Sequence, residues 1–407
     1  MAIEHPLRVS GYRNFILTRF CLTVALQILA VIIGWHIYKL TKDVYALGLI
    51  GLAEAIPAIS VALFAGHFAD KHNRKKIMQV SLFTMLISAL ALLYITQEKF
   101  ESTHQINSIY LLIMLTGLAR GFYAPAAQAI LTQLVNKEQL VKGSTIYSTT
   151  WQMASILGPA SAGFLYNYGG ITNSFMVICT IIFIAFIFLS FIKVKKHTVQ
   201  LNHTSIWLNL ADGIKYVFNH KIILGALSLD LFSVLFGGAV ALLPAFADEI
   251  LNVGPQGLGY LRAAPSLGAS ITMIVFSFYN NFKNPGQTLI AVVACFGICM
   301  IGFGLSTNFY LSIVLLLFSG AFDSISVIIR GAIMQIYVPD NMRGRVSSIN
   351  TIFIGSSNEI GAFESGFAAK YLGLAPSVIF GGCVTLLVVS ITQWKAKSLK
   401  KMEFSNG

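Results

Sequence analysis

Nine charged side chains stand inside otherwise apolar stretches of this 407-residue sequence: Arg19, Glu54, Arg120, Asp230, Arg262, Asp323, Arg330, Glu359 and Glu364. An ionised group facing hydrocarbon costs at least about 2.5–3.5 kcal/mol, so each must face a polar interior, pair with another group or reach an interface. Buried carboxylic acids can take up and return a proton, and guanidinium groups can hold an anion. That is the chemistry of carrying a proton or a solute, not of making bonds. Of the eight histidines only His36 and, at the end of the second stretch, His67 lie in apolar stretches, and no HExxH or Gly-x-Ser-x-Gly string occurs. An enzyme or a non-transporting receptor is therefore the weakest reading. Cys21, Cys179, Cys295, Cys299 and Cys383 all fall in apolar runs. Without His or acidic neighbours they read as packing residues, and neither a metal nor a cofactor is implied.

The elements that must position these charges follow from composition. Hydrophobic residues make up 56% of the chain and charged residues 11%, against about a quarter charged in soluble proteins. With a mean hydropathy of +0.74, the solvent for this chain is a bilayer. Stretches able to cross about 30 Å of hydrocarbon are predicted at 16–38, 46–69, 77–97, 108–134, 143–166 and 174–192, then at 222–247, 257–279, 288–306, 309–335, 346–370 and 376–394. The predicted fold is an all-α membrane protein of twelve transmembrane helices. It divides into a half at 1–192, a linker at 193–221 and a half at 222–407. Met1–Phe20 reads as mature protein, with no cleavage site after a short apolar core.

Of the 28 Lys and Arg, twenty fall on the side of the predicted termini, four on the opposite side and four inside spans. Positive charge accumulates on cytoplasmic loops, so both termini are predicted to be cytoplasmic. The net charge of +12 is then largely a topology signal with anionic lipid as its partner, and nucleic acid is not implied. Within the linker, Trp207, Leu208, Leu210, Ile214, Val217 and Phe218 recur at helical spacing beside Asn209, Asp212 and Lys215. The pattern predicts an amphipathic helix lying on the inner leaflet.

The two halves repeat. At an offset of 203, Gly117, Ala129, Ile130, Val135, Ser144, Ile146, Gly158, Gly163 and Phe164 meet identical residues; at 211, Leu47, Gly48 and Ala53 do so. Six helices separate the copies, so the repeat is parallel, as in transporters that rock two halves about a midplane site. Spans 3, 6, 9 and 12 carry no charge. These are the helices that can face lipid all round, leaving the other eight around a polar interior. Arg19 and Arg330 stand close enough to span ends to snorkel. Arg120 and Asp323 are mid-span and equivalent at the 203 offset, suiting either a pair across the two-fold axis or a shared cavity. Glu54, Asp230 and Asp323 are the candidates for proton coupling.

After span 2 the sequence reads Gly66-x-x-x-Asp70-x-x-x-Arg74-Lys75-Lys76, which resembles motif A of the major facilitator superfamily. Gly158-Pro159-x-x-x-Gly163 is similar to its antiporter motif C, with Thr149 and Phe164 departing from the pattern. In the second half, Ser277 and Asn281 replace the Gly and Asp of motif A. Tyr12-Arg13-Asn14-Phe15, Gly257-Leu258-Gly259-Tyr260-Leu261-Arg262, Arg343-Gly344-Arg345-Val346 and Ser357-Asn358-Glu359 through Gly366 resemble the drug:proton antiporter-3 branch, which includes macrolide-efflux proteins and the enterobactin exporter. Ala362 departs from the acidic or polar residue of many relatives.

The resemblance implies a bacterial inner-membrane exporter, driven by the proton gradient, acting on a small amphiphile as a monomer. An importer or a lipid flippase on the same fold is the alternative. In topology, Asp70 at the end of span 2 meets the positive start of span 11 with Arg343 and Arg345. A conformational gate built from Gly66, Asp70, Arg74, Lys75, Arg343 and Arg345 follows, and Gly158-Pro159 is expected to bend or thin span 5. The arginines suit an anionic substrate such as a catecholate siderophore, whereas Glu54, Asp230, Asp323 and the aromatics suit a cationic or neutral one.

Overall fold

The computed structural model describes residues 5–97, 102–193, 206–278, 284–396, 399 and 402. Among these every regular element is helical, because hydrocarbon offers the backbone no other hydrogen-bond partners. The long helices are α1 (Ser10–Thr41), α2 (Val44–Lys71), α3 (Arg74–Ile95), α4 (Ser102–Leu134) and α5 (Leu140–Ser190). They are followed by α6 (Ile206–Asn219), α7 (Lys221–Gly237), α8 (Gly254–Phe278), α9 (Pro285–Leu305), α10 (Phe309–Tyr337), α11 (Asp340–Leu372) and α12 (Leu374–Lys395).

Ten stretches of the described residues are long and apolar enough to cross a bilayer, against twelve predicted, and both differences have a cause. α5, at 51 residues, contains the fifth and sixth predicted spans; at 1.5 Å per residue it would run about 75 Å. It turns at Gly170, with φ 66° and ψ −172°, a conformation that glycine adopts without a Cβ clash. α11, at 33 residues, is long enough, but Ser357, Asn358, Glu359 and Glu364 make it the polar exception. The seventh span is helical only to Gly237 and then tightens and widens through 3₁₀ and π turns to Ile250.

Two compact units form. Unit 1 comprises Met1–Thr41, Leu52–Asn202 and Leu258–Ala263. In its core Tyr12, Phe15, Met78, Leu82, Ile130 and Leu189 are fully buried. Phe15 stacks on Tyr147 at 5.5 Å, and Tyr12 donates its hydroxyl to the Gly143 carbonyl at 2.7 Å. Asn73 caps α3, its side chain accepting from the Lys76 amide, the usual way to satisfy a first-turn N–H. Unit 2 comprises Lys42–Gly51, His203–Gly257 and Ala264–Gly407. Its core includes Ile223, Leu229, Leu289, Ile329 and Ile333.

The repeat reappears as packing. A Cβ on Gly117 would collide with the Glu54 backbone, and one on Gly320 with that of Pro265; Glu54 and Pro265 are 211 apart. From where a Gly158 Cβ would stand, the Val24 carbonyl is 3.2 Å away; for Gly361 the Leu235 carbonyl is 2.8 Å away. Val24 and Leu235 differ by the same 211. Gly259 stands in this way 3.2 Å from the Gly163 Cα within unit 1, and Gly48 3.2 Å from the Gly366 Cα within unit 2. Matching glycines thus let matching helix pairs approach in both halves.

Candidate functional site

Unit 1 gathers four of the predicted charges. Arg120 on α4 forms an ion pair with Glu54 on α2, at the level where Gly117 lets these helices touch. The two side chains keep 45% and 24% exposure, so the pair lines a polar surface. The carboxylate partner of Arg120 is Glu54, from its own unit. Arg19 on α1 does not snorkel. Its guanidinium lies 3.4 Å from the centre of the Tyr147 ring while Nε donates to the Tyr147 carbonyl at 3.2 Å, a cation–π contact that holds the charge inward. Arg262, on the first turns of α8, is partly buried in the same unit and is engaged with other groups.

Unit 2 carries the opposite balance. Asp230 on α7 pairs with Arg330 on α10, their side chains 8% and 7% exposed. The expectation that Arg330 snorkels is corrected here: a carboxylate one helix away holds it inside. Asp323, Ser326 and Arg330 lie on one face of α10 by their three- and four-residue spacing. Asp323 and Ser326 border a small cavity with Asp230. A second cavity of about 330 Å³ is lined by Arg330, Arg343, Gln335 and Asn350 with apolar side chains of α10 and α11. That volume is within the range of small-molecule pockets. Glu359 and Glu364 are partly buried on α11, and the Glu359 carboxylate comes 3.7 Å from where a Cβ on Gly51 would stand.

The gate residues are placed as follows. Arg74, opening α3, donates to the Ala69 and Ala129 carbonyls, both at 3.3 Å, and Lys75 donates to the Ser190 carbonyl at 2.7 Å, a cation at the C-terminal end of α5. Gly66 faces open space. The Asp70 side chain and Asn281 lie outside the described residues. Arg343 donates to the Gln335 carbonyl at 3.1 Å, and Arg345 is joined to Asp212 of the linker helix at 2.8 Å. In α5, Gly158 and Pro159 remain helical; the backbone departs from helix only at Gly170.

Sequence reasoning missed the linker's docking. Tyr216 donates to the Tyr337 carbonyl at 2.9 Å, and Gly213 comes close to the Arg345 carbonyl. Val217 is fully buried, while Ile214 and Phe218 point outward at 41% and 59% exposure. α6 is therefore fastened to unit 2 by one face and presents an apolar stripe on another. The side chains of Trp207, Leu208, Asn209 and Leu210 lie outside the described residues. A signal was also available for the charge inversion: at the 211 offset Arg19 meets Asp230, and at 203 Arg120 meets Asp323. At these two positions the first half carries cations where the second carries acids.

Comparison with known proteins agrees with this architecture. The profile of the Major Facilitator Superfamily matches residues 15–362. The chain is 25% identical to the enterobactin exporter EntS of Shigella flexneri over 364 residues, covering 88% of this chain and 84% of that protein. EntS of Escherichia coli O1:K1 / APEC is also 25% identical over 363 residues, with the same coverage. Among solved structures, the nucleoside transporter NupG superposes with a TM-score of 0.77 at 11% identity, covering 94% and 99% of the two chains. A bacterial homologue of the lysosomal transporter Spinster gives 0.76 at 13% identity, covering 99% and 100%. A bacterial homologue of the iron transporter ferroportin gives 0.74 at 14%, covering 98% and 100%. With twelve predicted spans folded as two repeats and charges held inside them, this chain is a multi-pass membrane transporter belonging to the Major Facilitator Superfamily.

Proposed function

We propose that the protein exports a small amphiphilic molecule across a bacterial inner membrane, driven by the proton gradient and working by alternating access. The observation that carries this reading is the set of ionisable groups held inside helices α1, α2, α4, α7 and α10. Charges in such places are retained for solute or proton pathways. The EntS relatives, named as exporters of enterobactin, support the outward direction; the substrate we propose is of the siderophore, macrolide or drug class. The conformational gate expected from motif A, with Gly66, Asp70, Arg74, Lys75, Arg343 and Arg345 as its residues, belongs to this reading.

The test is reconstitution in vesicles with an internal pH dye. A catecholate siderophore, a macrolide and a lipophilic cation serve as probes. Substrate movement accompanied by proton counter-flow, abolished by a protonophore, is the expected result. A compound that is demonstrably transported with no linked proton movement overturns the antiport reading.

A further inference from the structure

Asp230 from α7 and Asp323 from α10 border the same small cavity of unit 2, with Ser233 and Ser326 beside them and an apolar wall contributed by α7, α9 and α10. It encloses about 10 Å³, close to what a single water needs. One donor on its wall lacks an acceptor: Ser326 Oγ makes no hydrogen bond, although the residue is only 2% exposed. A buried donor left without a partner is costly, so the arrangement calls for something in the cavity that accepts from it.

The charges do not balance. Arg330 is matched by Asp230; Arg330 and Asp323 act electrostatically on Asp230, and Arg330 acts on Asp323. Among the described residues, α9 contributes Val292, Val293 and Phe296 to the wall of the cavity, and α11 and α12 contribute nothing. Two carboxyl groups therefore share one guanidinium: fully ionised, the cluster carries one negative charge, and one proton makes it neutral. The equivalents in unit 1 are Arg19 and Arg120, so this acid pair has no counterpart there.

We propose that Asp323 carries one exchangeable proton, reached through a water held by Ser326 and the carboxyl itself, while the Asp230–Arg330 ion pair keeps Asp230 ionised. On uptake a proton from water forms the O–H bond of the Asp323 carboxyl; on release the same bond breaks and water receives the proton. The inference rests on the proton-coupled reading above and names the group within it.

Infrared difference spectra of the full chain in lipid, recorded across a pH series, test the site without requiring a substrate. Relative to wild type, Asp323→Asn should lose one protonated-carboxyl band and its titration, and Asp323→Glu should keep a titrating band at a shifted position. Asp230→Asn should also lose the band, because Asp323 then becomes the counter-ion of Arg330. Arg330→Gln should gain one band, both acids being protonated. Asp323→Asn and Asp323→Glu spectra both identical to wild type would overturn the proposal, as would an Arg330→Gln variant with no gain. The vesicle assay separates the two levels. Proton-linked transport persisting undiminished in Asp323→Asn overturns this site and leaves antiport standing. Transport without proton movement in wild type overturns antiport coupling and, with it, the role assigned to Asp323.

Discussion

Arg330 and Asp230 meet between α10 and α7 with their side chains 7% and 8% exposed, an ion pair joining positions 100 residues apart. Removing one partner of such a pair leaves an uncompensated buried charge, at a cost of about 3–5 kcal/mol, whereas removing both is often close to neutral. Arg330→Met and Asp230→Leu singly should each lower the thermal unfolding midpoint in detergent strongly, and the double variant should recover most of the loss. Additive single effects would show that the pair does not act as a unit.

Glu54 and Arg120 present the contrasting case. Their pair retains 24% and 45% exposure, where solvent screens the attraction and about 1 kcal/mol or less is at stake for stability. Glu54→Gln and Arg120→Gln are expected to fold at near wild-type levels while transport falls by tenfold or more. The charge-reversed double variant, Glu54→Arg with Arg120→Glu, should fold equally well. A large drop in unfolding temperature for either single change would assign the pair to structure instead.

Helix contact through glycine gives a third expectation. At Gly117 and Gly320 a methyl group would enter the backbone of the neighbouring helix, and overpacking typically costs about 1–3 kcal/mol. Gly117→Ala and Gly320→Ala should each reduce stability and yield of folded protein. Gly66 opens the motif, and among the described residues nothing stands within 4 Å of where its Cβ would be; Gly66→Ala should leave the unfolding midpoint unchanged, so any transport defect there belongs to motion and not to folding.

The linker helix offers a fourth. Asp212 holds Arg345 at 2.8 Å, with side chains 53% and 33% exposed, and Tyr216 reaches the Tyr337 carbonyl. Asp212→Lys combined with Tyr216→Phe should release α6 and speed its cleavage by added protease several-fold, with little change in global unfolding, since an exposed pair contributes about 1 kcal/mol at most. Unchanged cleavage would mean that burial of Val217 alone retains the helix.

Much of the architecture was legible because hydrophobicity is a property of each residue and its run length along the chain. Most of the predicted spans coincide with helices, and the apolar pattern of the linker foretold α6. Some boundaries depend on local backbone chemistry. The fifth and sixth predicted spans lie on either side of Gly170, whose positive φ breaks the helix between them. Past Gly237 the seventh span turns irregular, a change that apolar composition does not register.

The list of charges inside hydrocarbon, the twofold repeat and the family membership could all be read from order and composition. Which charge meets which could not. Glu54 lies 66 residues from Arg120 and Asp230 lies 100 from Arg330, so these pairings depend on how helices pack and not on spacing along the chain. The two arginines expected to reach towards the interface are instead held inside, one over the Tyr147 ring and one by Asp230. Sequence determined how many charges the membrane must tolerate. Tertiary structure decided that Arg330 is neutralised by Asp230, because Coulombic matching acts over a few ångströms of space whatever the distance along the chain.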